Sequence, residues 1–201
     1  MDKTLVNALH LLEHLASADR PQGVTELSTA LKLSKSSVHR PLTTLMKLGY
    51  VQQDEETGRY TASLRMWEVG SSVLDRLDLK KVAAGPMAKL AAATRETVHL
   101  SVLDGGDVIH IDKIECQHPI RAYSRVGGRV PCHCIATGKA MLAFQPDDVI
   151  AFISGRLKRV TPETIVDRKQ FLTELAQVRR IGVAISRGGL QVGVDGVAAP
   201  I

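Results

Sequence analysis

The 201-residue chain has no apolar run long enough to cross a bilayer, and its opening, "MDKTLVNALHLLEHLA", carries charged and polar residues where a signal core would lie. A cytoplasmic protein without a membrane partner is expected. Cysteine is scarce and odd in number: Cys116, Cys132 and Cys134, with no secretory segment, read as reduced thiols rather than a disulfide framework. Glycine-rich phosphate loops, nucleophile elbows and paired-carboxylate motifs are missing, and Cys132-His133-Cys134 puts thiol and base on adjacent residues, which seldom orient toward each other. No enzyme is expected, no catalytic residue is assigned, and no cofactor is implied. The same three residues, with Cys116 and His118 upstream, raise zinc, but consecutive ligands diverge and the usual two-residue spacer is lacking, so buried thiols are expected and no metal site is assigned. Residues 1–62 also lack any charge excess: seven Lys+Arg face seven Asp+Glu, leaving the whole net charge of +5 to residues 63–201. DNA binding by the N-terminal part must therefore come from clustered cations that reach phosphates.

What is present is enough apolar material, 44% against 23% charged, for one large or two small domains. Leu5, Val6, Leu9, Leu12, Leu15 and Ala16 repeat at helical spacing over Thr4–Ala16. "DRPQG" breaks that helix, and "VTELSTALKLS" restarts a short one, with Leu27, Ala30 and Leu31 on one face and Thr25 as a plausible N-cap. A turn at Leu33 and Ser34 leads to a third helix. "YVQQDEETGRYTAS" then reads as a hairpin around Glu55-Glu56-Thr57-Gly58, with glycine where a left-handed residue is needed. Three helices and a hairpin make a winged helix-turn-helix over residues 1–62.

On a wheel of the third helix, Val38, Leu42, Leu45 and Met46 fall on one side and Ser36, Arg40, Thr43 and Lys47 on the other, flanked by Lys35 and His39. The exposed stripe is made of groups that donate hydrogen bonds to phosphate oxygens or guanine edges. Alone it reads equally as a solvated face; the short helix before it and the hairpin after it decide for DNA. The candidate DNA contacts are Lys35, Ser36, Ser37, His39, Arg40, Thr43 and Lys47, with Arg59 from the wing. Pro41 interrupts this helix, lacking the N–H that would bond the Ser37 carbonyl, at a cost of roughly 3 kcal/mol in a helix interior. With Ser36 or Ser37 as N-cap it falls in or just after the opening turn, where the cost drops. Two readings stay open: a bent opening turn that aims Lys35 to Arg40 at the groove, or a tolerated substitution.

Beyond the wing, "LRMWEVGSSVLDRLDLKKVAAGPMAKLAAATRE" reads as a linker helix and a second helix, interrupted at Gly70 and Gly85-Pro86. Leu64, Met66, Trp67, Val69, Val73, Leu74 and Leu77 exceed what one linker needs to bury, which predicts packing against a second subunit. "TVHLSVLDGGDVIHIDKIEC" is a hairpin turning at Asp104-Gly105-Gly106-Asp107, and "PIRAYSRV" a further strand. Arg121, Arg125 and Arg129 read as a solvated β-rich surface rather than anion contacts. A loop and helix over Pro131–Phe144, helices over Pro146–Ile153 and Asp167–Arg180, and strands in "GVAIS" and "VDGVAAPI" complete an α+β half. Ala136, Thr137 and Gly138 open a helix whose first amides are unpaired, a place where a carboxylate can sit.

The blocks "LVNALHLLEHLA", "VTELSTALKLSKSSVHRPLTTLMKLGYVQQDEETGRY", "LDLKKVAAGPMAKLAAATRETVHLSVLDGGDVIHIDKIE", "PCHCIATGKAMLAF" and "GVDGVAAPI", in this order and spacing, resemble the IclR family of bacterial transcriptional regulators from about Leu5 to Ile201. The resemblance implies a winged helix-turn-helix (1–62), a linker helix (63–78) and a GAF-like α+β effector-binding domain (79–201). It implies a homodimer or dimer of dimers on palindromic double-stranded DNA operators, controlling a catabolic operon in response to a small organic acid. By the same resemblance Cys134, Ala136, Thr137, Gly138, Ser186 and Gly196 line the effector pocket. The family commonly has an aliphatic residue where Pro41 stands, carries an acidic group and a thiol in some members where Ser186 and Gly196 stand, and continues past Ile201 into a serine-bearing strand and a helix that help wall the pocket. The other class of function left open is a sensor or interaction module whose helix-turn-helix serves pairing rather than DNA; operator binding with a steep salt slope separates the two.

Overall fold

The computed structural model describes residues 1–74, 76, 78–118 and 124–201. The chain forms two compact units, Met1–Leu77 and Asp78–Ile201. In the first, α1 (Lys3–Ser17) starts at Asp2, whose carboxylate accepts from Thr4 N at 2.8 Å and Leu5 N at 3.3 Å. Its buried face is rotated from the expected one: Leu11, Leu12 and Leu15 enter the core, while Leu5 and Leu9 are 59% and 50% exposed. The helix is leucine-rich on two faces, so periodicity alone does not say which one the neighbours cover.

Helix α2 (Val24–Leu31) is capped by Gly23 rather than Thr25, because the Glu26 carboxylate reaches back to accept from Gly23 N at 2.8 Å. It buries Leu27 and packs Val24 and Leu31 against the core, leaving Ala30 exposed. Lys32, at φ 55°, closes it in the left-handed conformation. Helix α3 (Lys35–Lys47) and the antiparallel strands β1 (Val51–Gln53) and β2 (Tyr60–Ala62) follow, with Gly58 at φ +65° in the connecting turn. Leu11, Leu27, Val38 and Leu42, all fully buried, with Val51 and Tyr60 beside them, form the core.

Helix α4 (Arg65–Leu74) passes through Gly70 without a break and buries none of its residues; Leu64 and Trp67 are 79% and 69% exposed. Asp75 and Leu77 lie outside the described residues. In the second unit α5 (Asp78–Thr94) runs through Gly85 and Pro86 instead of stopping there. Both residues are exposed, so the carbonyl that Pro86 leaves without its helical donor can be met by water. Strands β3 (Val98–Asp104), β4 (Asp107–Ile114) and β5 (Arg129–Pro131) form an antiparallel sheet in the order β3-β4-β5, and Gly105 and Gly106, at φ 59° and 99°, turn the first pair. Of the strand expected at "PIRAYSRV", residues 119–123, which include Arg121, lie outside the described residues, Ser124 and Arg125 belong to no strand and Val126 lies in a turn; the third strand begins at Arg129. A 3-10 turn at Cys132–Cys134 leads into α6 (Ala136–Leu142), followed by α7 (Asp147–Ser154), α8 (Arg168–Ile181) and the hairpin β6 (Ala184–Arg187) with β7 (Asp195–Ala198). Val108, Cys132, Leu142, Ala143, Phe171 and Ala184 are the most buried side chains of this unit's core.

Candidate nucleic-acid interface and ligand sites

Helix α3 begins at Ser34, whose Oγ accepts from Ser37 N at 3.2 Å and lies 3.0 and 2.8 Å from the hydroxyls of Ser36 and Ser37. The N-cap is thus earlier than Ser36 or Ser37, and Pro41 falls in the second turn, buried beside Val38 and Leu42. Its ring contributes apolar burial to the core, which offsets part of the lost backbone bond. On the far side Lys35, Ser36, His39, Arg40, Thr43 and Lys47 are all exposed, and Ser37 is half-buried. Thr43 Oγ1 donates to the His39 carbonyl at 3.0 Å and keeps its lone pairs for an outside donor. Among the described residues, Lys35, Arg40 and Lys47 enter no salt bridge. Three unpaired cations thus share one surface of a helix whose opposite face is locked into the core.

Arg59 is not brought to that surface. Its Nη1 donates to the Pro21 carbonyl at 3.0 Å and to Glu26 Oε2 at 2.8 Å, fastening the wing to the start of α2. The Gly23 N–H, then the Arg20 and Arg59 guanidiniums, hold the Glu26 carboxyl down at about 2. The wing tip is otherwise acidic, with Asp54, Glu55 and Glu56 all exposed, which repels phosphate rather than attracting it.

In the second unit α6 opens at Ile135 with no side-chain cap, as its sequence predicts. Gly138 has a packing reason: a Cβ there would stand 2.0 Å from the Cys132 carbonyl oxygen, so the helix lies directly on the 3-10 turn. Ser186 and Gly196 face each other across β6 and β7, and a Cβ on Gly196 would stand 3.2 Å from Ser186 Oγ and 3.7 Å from Ala136 Cβ. Ala136, Ser186 and Gly196 therefore meet, with Thr137 half-buried at the same helix start. Cys134 lines a cavity with Lys139 and Glu174, and Ala136, Ser186 and Gly196 are not in its lining. Burial pushes the Cys132 and Cys134 thiols up to about 12 and about 11, which makes them inert neutral groups. His133 is tied to the Lys158 backbone, its Nε2 lying 2.9 Å from the carbonyl oxygen and 3.3 Å from the amide nitrogen.

Two polar groups escaped the sequence reading. His99 and His110 stack with ring centroids 4.6 Å apart; His99 Nε2 is 2.7 Å from Ser124 Oγ and His110 Nδ1 is 2.8 Å from Ser101 Oγ. Burial first, then His110 and Lys113, lowers the His99 imidazole to about 4, so His99 stays neutral at pH 7, and burial first, then Lys113, lowers His110 as well. The signal was polar residues at alternate positions in β3, His99 and Ser101, opposite His110 in β4. The other is Lys139, a buried cation in the otherwise apolar "ATGKAML", whose Nζ donates to Glu174 Oε1 at 2.5 Å.

A capped helix with unpaired cations above a buried face, a short helix before it and a two-stranded wing after it define a winged helix-turn-helix, here followed by an α+β unit. The chain belongs to the IclR family: residues 4–55 match the IclR helix-turn-helix domain and residues 71–201 the bacterial transcriptional regulator IclR C-terminal domain. It is 37% identical over 185 residues to the HTH-type transcriptional regulator KdgR of Dickeya chrysanthemi, covering 91% of this chain and 61% of that protein. Among solved structures it resembles the Thermotoga maritima IclR (TM-score 0.77, 30% identity, 98% of this chain and 81% of that one). It also resembles an IclR homolog from Microbacterium hydrocarbonoxydans complexed with 4-hydroxybenzoate (TM-score 0.85, 26% identity, 99% and 83%). No helix among the described residues is long and apolar enough to cross a membrane.

Proposed function

We propose that this chain is a cytoplasmic transcriptional regulator, not an enzyme, that reads a duplex operator with α3 and answers a small organic acid through residues 79–201, with 63–78 as the linker. The observation that carries the DNA reading is the exposed stripe of Lys35, Ser36, His39, Arg40, Thr43 and Lys47, whose cations Lys35, Arg40 and Lys47 enter no salt bridge among the described residues, opposite the fully buried Val38 and Leu42. The effector reading rests on the uncapped start of α6 next to Ser186 and Gly196. The 4-hydroxybenzoate held by the Microbacterium relative supports a carboxylate as the class.

A thermal-shift screen of small aliphatic and aromatic acids, 4-hydroxybenzoate included, tests this. At least one acid should stabilise the chain, and Thr137→Trp should remove the response while DNA binding persists, because the indole occupies the space the carboxylate needs. Equal stabilisation of the variant would put the effector elsewhere.

Assembly follows from exposed apolar surface. Leu64, Trp67, Val69 and Val73 on or beside α4, with Leu5 and Leu9 on α1, are exposed in the single chain, and a second copy would cover them. A homodimer, alone or paired into a dimer of dimers, would hold two α3 helices about 34 Å apart, or a multiple of it, on a palindrome. Light scattering at micromolar concentration should give at least twice the chain mass of 21.8 kDa, and a monomer would refute it.

A further inference from the structure

The cavity beside the Cys132–Cys134 turn has a volume of about 140 Å³ and is walled by side chains of both charges. At its floor Lys139, with a side chain only 6% exposed, gives one ammonium proton to Glu174 Oε1 and another to the Ile185 carbonyl at 3.0 Å, leaving a third. At its rim stand the Arg187 guanidinium and the Glu163 carboxylate, both on exposed residues, and among the described residues neither side chain has a hydrogen bond or ion pair.

The wall between them is fixed. Thr161 Oγ1 donates to the Gly188 carbonyl and Thr164 Oγ1 to the Gly189 carbonyl, each at 2.8 Å in buried surroundings. Gly189 admits no side chain, since a Cβ would stand 2.5 Å from the Cys134 carbonyl oxygen. The cavity is distinct from the effector locus: Arg187 lines it, whereas Ser186, the preceding residue of β6, takes the other face, toward Gly196.

The charges select the occupant. A bare anion entering here meets Glu163 and Glu174, and a bare cation meets Arg187 and Lys139; only a molecule carrying both charges pairs with both sets and leaves none opposed. The size selects as well. An apolar cavity of about 150 Å³ holds benzene, so roughly six heavy atoms fit in this one.

We propose that this cavity is a second small-molecule site, which takes a short α-amino acid with its carboxylate toward Arg187 and Lys139 and its ammonium toward Glu163 and Glu174. The Cys134 thiol beside it stays neutral and adds no charge of its own.

Isothermal titration calorimetry of the full chain with glycine, L-alanine and L-serine tests the site, with propionate and ethylamine as the two half-ligands. An amino acid should bind at least about tenfold more tightly than either half-ligand, and Arg187→Ala and Glu163→Gln should each weaken it by about tenfold. Both residues are exposed, so the variants should melt like the parent. Thr137→Trp should leave amino-acid binding unchanged, which separates this site from the effector site. No heat with any amino acid, propionate binding as tightly as alanine, unchanged affinity in both rim variants, or loss of binding in Thr137→Trp would each overturn the proposal.

Discussion

Arg40→Ala is expected to weaken binding to a selected duplex by about 1 to 3 kcal/mol, roughly five- to 150-fold, and to relax sequence preference at one position if the guanidinium reads a guanine. Arg40 sits mid-stripe on α3, exposed and without an ion-pair partner among the described residues, so its removal exposes no buried charge and should leave melting unchanged. Lys47→Ala, two helical turns further on, should weaken binding evenly across sequences and lower the salt slope by about 1. The rest of the unit offers little compensation. The wing's Arg59 is held by Glu26 and Pro21, and the wing tip is Asp54-Glu55-Glu56. Duplexes selected from a random pool and scored by gel shift at several salt concentrations would check both variants. Unchanged affinity for both would remove α3 as the reading helix.

Gly138→Ala is expected to be the most damaging single methyl group in the second unit. The added Cβ would lie 2.0 Å from the Cys132 carbonyl oxygen and 2.5 Å from that residue's Cα, all backbone, so α6 must lift off the 3-10 turn that carries the fully buried Cys132. Overpacking of this kind costs about 3 kcal/mol or more when no flexible side chain can give way. The control is Gly85→Ala in the exposed middle of α5, where no atom lies within 4 Å of the new Cβ. That change should stabilise the helix by about 0.5 to 1 kcal/mol through backbone entropy. Calorimetric melting of the two variants should move in opposite directions. A Gly138→Ala protein that melts like the parent would refute the close packing of α6.

Much of the helix-turn-helix was legible in one dimension, because its signals are local. The spacing of Val38 and Leu42 against Arg40, Thr43 and Lys47 follows from 3.6 residues per turn, and the turns at Gly58 and Gly105-Gly106 follow from the need for positive φ. The start of α6 was likewise within reach of pattern, and the resemblance named Ser186 and Gly196 together, but the register that sets them opposite each other came from the structure.

By itself, then, the sequence determined the periodic and turn-bound features: α3 with its outward cations, the wing, the β3-β4 hairpin and the class of both units. Tertiary structure alone decided which leucines of α1 are covered, that Ser34 caps α3 and leaves Pro41 in the second turn, and that Arg59 spends its charge on Glu26. It also decided that Gly138 exists to admit the Cys132 carbonyl, that His99 stacks on His110, and that Lys139, Glu163, Glu174 and Arg187 share one cavity. The physical reason is range: a helix face or a turn is settled by interactions within a few residues, whereas these contacts join segments far apart in the chain, and only the closed core determines which of them meet.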